Sequence, residues 1–174
     1  MRTLPGASTA ALLAVPLLLC ADPETAHASP PLLGVEARLG GGLEMGGTDR
    51  ASRWLVAPVT VSALVDYAII DKPRVHLYGE VIYEGWKRAG FGVGLGLRFR
   101  PFDNGVRVGM GAVAMLTSYT HGGVAASVGQ CLPVGSMRAC LDVQGEVFFF
   151  GSDLPVNGVD GALKLVLSMG FDAL

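Results

Sequence analysis

From residue 33 to residue 173 the chain alternates, position by position, between large apolar side chains and a set made of glycine, serine and charge. Period two is the repeat of a β-strand, whose successive side chains point to opposite faces. The stretch GFGVGLGLRFR, residues 90–100, shows it most sharply. Gly90, Gly92, Gly94 and Gly96 share one face, and Phe91, Val93, Leu95, Leu97 and Phe99 share the other. Glycine weakens an ordinary strand, because it packs nothing and carries an entropic cost. Four of them in register imply a surface on which side chains are crowded.

Eight such segments can be read: 33–43, 54–68, 74–84, 90–100, 106–118, 123–132, 137–149 and 159–173. Turn chemistry separates them, in GGTDRAS, IDKP, WKRAG, PFDNG, THGG, VGS and GSDLPVNG. Glycines and β-branched residues interrupt every candidate amphipathic helix. No run after residue 28 reaches the ~20 apolar residues of a membrane helix. With 51% hydrophobic and 16% charged residues, the chain is too apolar for disorder, and 174 residues suffice for one domain. A formal charge of −2 argues against nucleic acid as a partner.

The first 28 residues read as a secretory signal peptide. Arg2 supplies the charged start, the apolar run Ala10 to Ala21 follows, and Ala26-His27-Ala28 offers an A-x-A cleavage site. The run of about 12 residues is too short to span a bilayer, which needs ~20. Leu19 is bulky for the position before a lipid-modified Cys20. The expected mature domain is therefore 29–174.

Alternation alone does not say which face lies inside. Volume does. The apolar face carries about 42 apolar residues, whereas an eight-stranded barrel interior is just wide enough for side chains to fill it. The large residues must point outward, and glycine and charge must point inward. The inward charges are Glu36, Arg38, Asp66, His76, Glu80, Glu84, Arg98, Arg100, Arg107, Arg138, Asp142, Glu146, Asp160, Lys164 and Asp172. Acids and bases nearly balance there, as pairing of buried ions requires. Aromatic residues gather near the strand ends, among them Trp54, Tyr67, Tyr83, Trp86, Phe102, Tyr119, Phe149 and Phe171, as the girdles of membrane barrels do. Pro58 is awkward in a barrel without free edges: either the second strand begins after it or a bulge absorbs it.

Two cysteines remain in the mature domain, Cys131 and Cys140. With Gly135-Ser136 as a two-residue hairpin loop, Val134 opposes Met137, Pro133 opposes Arg138, and Cys131 opposes Cys140. That last pair is inward and non-hydrogen-bonded, where strands approach closest, so a disulfide is expected. If the last two strands pair through 151–157, Lys164 comes level with Gln144 and within reach of Asp142 and Glu146.

A cleavable signal followed by eight short, Gly-rich, alternating strands resembles the small bacterial outer-membrane barrels of the OmpA and OmpX type. The resemblance covers residues 33–174 and rests on pattern. It implies an all-β, eight-stranded antiparallel up-and-down transmembrane β-barrel in the cell outer membrane, reached through the periplasm. The implied partners are outer-membrane lipid and the outer-membrane assembly machinery, with the protein a monomer. Such barrels usually end in an aromatic residue; here Phe171 is near and Leu174 is last.

Chemistry is sparse. His76, Glu80 and Glu84 share a face, but strand residues four apart lie ~13 Å apart, too far for one metal ion. GFGVGLG is no phosphate loop, because no helix follows it. Outer-membrane lipid-modifying barrels carry a Ser and a His near the outer end, where Ser118 and His121 stand here; no motif of those enzymes surrounds them, and His121 reads as a solvated loop residue. No cofactor, metal or catalytic group is expected. The sequence thus favours a non-enzymatic barrel with a structural, surface-interaction or envelope role and a lumen plugged by charge pairs. The alternatives are a small passive channel, an outer-membrane lipid-modifying enzyme and a soluble periplasmic lipocalin-like barrel.

Overall fold

A computed structural model describes residues 33–46, 53–70, 74–85, 89–102, 104–117, 120–152, 154 and 158–173. The signal segment 1–28, Trp86, Ser118 and Tyr119 lie outside the described residues, as does the side chain of Trp54. Among the described residues nine strands form one antiparallel sheet: β1 (Leu33–Gly46), β2 (Arg53–Val56), β3 (Val59–Ile70), β4 (Arg74–Gly85), β5 (Gly90–Arg100), β6 (Val106–Met115), β7 (His121–Val134), β8 (Met137–Gly151) and β9 (Asp160–Ala173). Each long strand pairs with the next, and β1 pairs with β9 from Leu33↔Ala173 to Met45↔Gly161. The sheet is therefore closed. β2 and β3 are two pieces of one stave, so the barrel has eight.

The break in that stave is the work of Pro58. Val56 pairs with Leu43 and Thr60 with Gly40, so three residues, 57–59, face only Gly41 and Gly42. One residue is bulged out, which is how an antiparallel ladder accommodates an extra residue. The ladder is carried past the proline by the Ala57 N–H, which donates to the Gly42 carbonyl at 2.9 Å. Unbroken alternation places Ala57 outward; the bulge turns it in, and it is 1% exposed. Elsewhere the register follows the alternation, apart from irregularities at Ala68/Ile70 and Gly122/Gly123.

Closure fixes the width of the lumen. Along paired residues, Val35 leads through Val65, Gly79, Leu95, Ala112, Val124, Val147 and Gly161 back to β1 at Met45, ten residues from the start. With ~3.3 Å rise per residue and ~4.8 Å between strands, that stagger gives a tilt of about 41° and a backbone radius of about 8 Å. A cylinder that narrow is filled by side chains.

The glycine face of β5 lines this narrow interior. A Cβ on Gly96 would stand 2.8 Å from the Tyr78 ring and 2.6 Å from the Gly111 backbone; one on Gly92 would stand 2.5 Å from the Met115 sulfur. On these two residues the crowding partners are a phenol and a thioether rather than charged groups. Charged groups do crowd the glycines of other strands: a Cβ on Gly34 would meet Asp66 at 2.6 Å, and one on Gly170 would meet Glu36 at 2.5 Å. The outward set, including Leu95, Val61, Leu165 and Phe171, is exposed around the whole barrel.

Several strand ends differ from the sequence reading. The first, second, sixth and seventh segments run two or three residues further, to Gly46, Ile70, Val134 and Gly151. The fifth ends at Met115 rather than 118, and the sixth begins at His121 rather than 123. His121 is not a loop residue. It pairs with Met115 and Gly151, is buried, and its ring centroid lies 5.8 Å from that of Phe148. The small residues Gly122 and Gly123 let the strand start early, against Phe150 and Phe148.

Candidate functional site

Parity puts the even residues of β1, β3, β4, β5, β8 and β9 and the odd residues of β6 and β7 inside. The charged ones among them form a column along the lumen. At the end carrying the β5–β6 and β7–β8 turns, four arginines meet four acids. Arg98 donates to Glu36 at 3.0 Å and to Asp66 at 2.9 Å, and Arg100 donates to Asp66 at 3.3 Å. Arg107 grips both oxygens of Asp142, donates to Glu36 at 2.7 Å and reaches Ser168 at 2.9 Å. Arg138 pairs with Asp172 at 2.5 Å and lies 3.8 Å from Glu36. His76 Nδ1 faces Asp66 at 3.2 Å.

The middle layer belongs to Arg38. Its guanidinium donates to Glu80 at 2.6 Å and to the Gln144 carbonyl oxygen at 2.8 Å. Ser62 also donates to Glu80, at 2.5 Å, and Arg98 stacks over the Tyr78 ring with Cζ 5.6 Å from its centroid. Above it, Lys164 donates to Glu146 at 2.7 Å and lies 3.7 Å from Glu84, while the Gln144 amide donates to Glu146 at 2.8 Å. An Arg38–Asp142 approach of 3.9 Å joins the middle layer to the arginine end. Asp160 sits at the far rim, half-buried, with its carboxylate accepting from the Gly161 N–H at 2.9 Å.

Burying ions is unfavourable unless each finds opposite charge and hydrogen bonds, and this column supplies both. Lys164 is level with Gln144, as the strand pairing requires. Its partners differ in one respect from the sequence reading. Glu146 holds it, but Asp142 is taken by Arg107, and the second carboxylate is Glu84, from across the lumen. Lys164→Met is therefore expected to destabilise the barrel by a few kcal/mol, because it strands carboxylates in the interior. Denaturant unfolding in detergent checks this, and a variant as stable as the parent would remove the buried pairing.

Lumen residues without charge join the network too: Ser62, Gln144 and Ser168 lie on the face expected to be inward, whereas Tyr78, a large aromatic side chain on that face, was not legible as a member. Nor was an apolar patch at the end opposite the arginines. Ile82, Val113, Met115 and Phe148 are buried together there, with Ala125 and Leu154 against them. The lumen is thus polar along its length and apolar over part of one mouth.

At the other mouth, Cys131 opposes Cys140 in the register expected from the Gly135-Ser136 turn. Gly135 has φ 62°, the sign that the first central position of a primed hairpin turn needs. The two Cα atoms are 4.0 Å apart and the sulfurs lie at bonding distance, 2.09 Å. The expected result of alkylating the denatured, unreduced chain is no adduct on either cysteine; two adducts would mean free thiols. The loop is so short that the bridge contributes at most ~2–3 kcal/mol.

Among the described residues no three His, Cys, Asp or Glu side chains are grouped to hold a metal ion. Among the described residues no helix is long and apolar enough to cross a membrane, a fact that has no bearing on strands. No protein-family model matches the chain, and no curated protein matches it.

Proposed function

We propose that the chain is an integral outer-membrane β-barrel that performs no chemistry, serves a structural, surface-interaction or envelope role, and keeps its lumen closed with paired charge. The observation that carries this reading is the inversion of its faces. Large apolar residues cover the outside of a closed sheet, and ionised residues fill the inside. In water such an exterior would aggregate. In lipid it is what solvation demands, because a closed barrel satisfies every backbone group.

The dimensions support the same reading. On β3 the outward residues run from Val59 to Ile69. At a tilt of about 41°, that span is about 25 Å tall, the height of the apolar band of outer-membrane barrels. A soluble lipocalin-like barrel needs a ligand chamber, and the lumen here is occupied by Arg38, Arg98, Arg107 and their partners. With closure leaving the long staves no free edge, a monomer surrounded by lipid is the natural state. The assembly machinery and lipid are the partners this reading requires.

Cell fractionation tests it, combined with gel migration before and after boiling. The expected result is recovery with outer membranes and a change in migration on boiling. Recovery in the soluble periplasmic fraction would overturn the proposal. Planar-bilayer recording tests the closed lumen separately: steady porin-sized conductance is the outcome that contradicts it.

A further inference from the structure

We propose that the Cys131–Cys140 bridge is installed by a protein dithiol oxidant before the barrel closes, and that closure then shields it from exchange with such proteins. The first support is that the hairpin needs no help. The two cysteines stand nine residues apart in sequence, and the Gly135-Ser136 turn alone brings them opposite each other. A hairpin forms in ~1–10 μs, whereas a sheet of non-local pairings forms far more slowly. The pair is thus available for oxidation while the other staves are still open.

The second support is where closure leaves the pair. Both cysteines face the lumen, within the wall rather than on the hairpin tip. The Cys131 N–H donates to the Gly105 carbonyl on one side at 2.9 Å, and Cys140 pairs with Ser168 on the other. Cys131 is half-buried, and Cys140 is 4% exposed. Along the inward face of β8, Cys140 is bracketed by Arg138, tied to Asp172 at 2.5 Å, and by Asp142, held by Arg107.

The chemistry sets the order. One cysteine thiolate attacks the oxidant's disulfide and expels one of its thiolates, which leaves a mixed disulfide. The second cysteine thiolate attacks the first cysteine's sulfur and expels the oxidant's other thiolate. Two electrons and two protons leave the cysteines, and the oxidant ends as a dithiol. Both steps bring the oxidant's sulfur to bonding distance of a cysteine. A side-chain-filled lumen of about 8 Å backbone radius does not admit a folded protein. The reaction therefore belongs to the open chain. The order rests on the export that the proposed function requires, since exported chains meet oxidising conditions; the comparison in solution does not depend on where the barrel resides.

The reduced mature chain is mixed with a protein oxidant carrying a reactive Cys-x-x-Cys disulfide, either kept unfolded in dilute urea or already folded in detergent. Alkylation and mass measurement follow the thiols. The expected result is full bridging of the unfolded chain, and a rate at least ~100-fold lower in the folded barrel, where exchange waits for the wall to open. A chain with Cys131→Ser, Cys140→Ser and Ser136→Cys carries its thiol in the exposed turn at the same mouth. That thiol should form the mixed disulfide at a comparable rate in both states. Bridging of the natural pair at equal rates in the two states would overturn the proposal. Should the reduced chain not fold, the bridged barrel is challenged with the same protein in its dithiol form. Retention of the bridge when folded and its loss when unfolded is then expected, and loss at equal rates overturns the proposal.

Discussion

Arg107→Met is expected to lower the unfolding free energy by about 3–5 kcal/mol, the scale seen when one partner of a buried ion pair is removed. Arg107 is 2% exposed and holds more of the lumen than any other side chain: both oxygens of Asp142, one of Glu36 and the hydroxyl of Ser168. Methionine keeps the length of the stem and removes the charge. Glu36 then still has Arg98 at 3.0 Å, whereas among the described residues the cation left to Asp142 is Arg38 at 3.9 Å. The loss should fall mainly on Asp142. The double variant Arg107→Met with Asp142→Leu should therefore recover a large part of it, because removing both charges removes the uncompensated one. Guanidinium unfolding in lipid vesicles measures both. A single variant within 1 kcal/mol of the parent, or a double variant no better than the single, would show that the pair is not buried as described.

Leu95→Arg separates the membrane reading from a water-soluble one. Leu95 lies at the middle of β5, points outward and is 60% exposed, beside Gly79 and Ala112 on the neighbouring strands. On a water-facing surface the change would alter stability by no more than ~0.5 kcal/mol. At the midplane of a bilayer it should cost ~2–4 kcal/mol, falling to ~0–1 near the interfaces. Phe102, exposed in the turn after β5, is the near-interface comparison. The expected result is a marked loss for Leu95→Arg and little for Phe102→Arg. Equal, small effects at both positions would refute a lipid-facing exterior.

What the sequence made legible was local. The eight staves, the inward and outward faces and the β7–β8 register follow from period two and from turn residues, because each depends on neighbours a few positions away. Cys131↔Cys140 and Gln144↔Lys164 are of this kind. Contacts across the lumen are not. That Lys164 approaches Glu84, or that Arg107 takes Asp142 from it, depends on the stagger accumulated around eight staves, and no single hairpin contains that quantity. Pro58 announced an irregularity but not its form, since a break and a bulge are both compatible with a missing N–H. His121 was misplaced because THGG carries turn residues; here the glycines instead clear space for a strand against Phe148 and Phe150. The interior patch of Ile82, Val113, Met115 and Phe148 escaped notice because an inward face was equated with a polar one.

The lumen network also has a consequence in time. Its bonds join residues far apart along the chain: Arg38 to Gln144 is separated by 106 residues, Arg107 to Glu36 by 71 and Arg98 to Glu36 by 62. β1 contributes Glu36 and Arg38, yet their partners arrive only with β4, β5, β6 and β8. A half-assembled sheet therefore carries naked charge on the face that is about to be enclosed, and it has two raw edges besides. Part of that charge is neutralised as staves are added, since Arg38 meets Glu80 once β4 is in place and Asp66 meets Arg98 with β5. The contacts of Glu36 with Arg107 and of Arg38 with Gln144 wait for β6 and β8, and the two edges persist until β9 meets β1, so the later staves complete pairs that the first one opened.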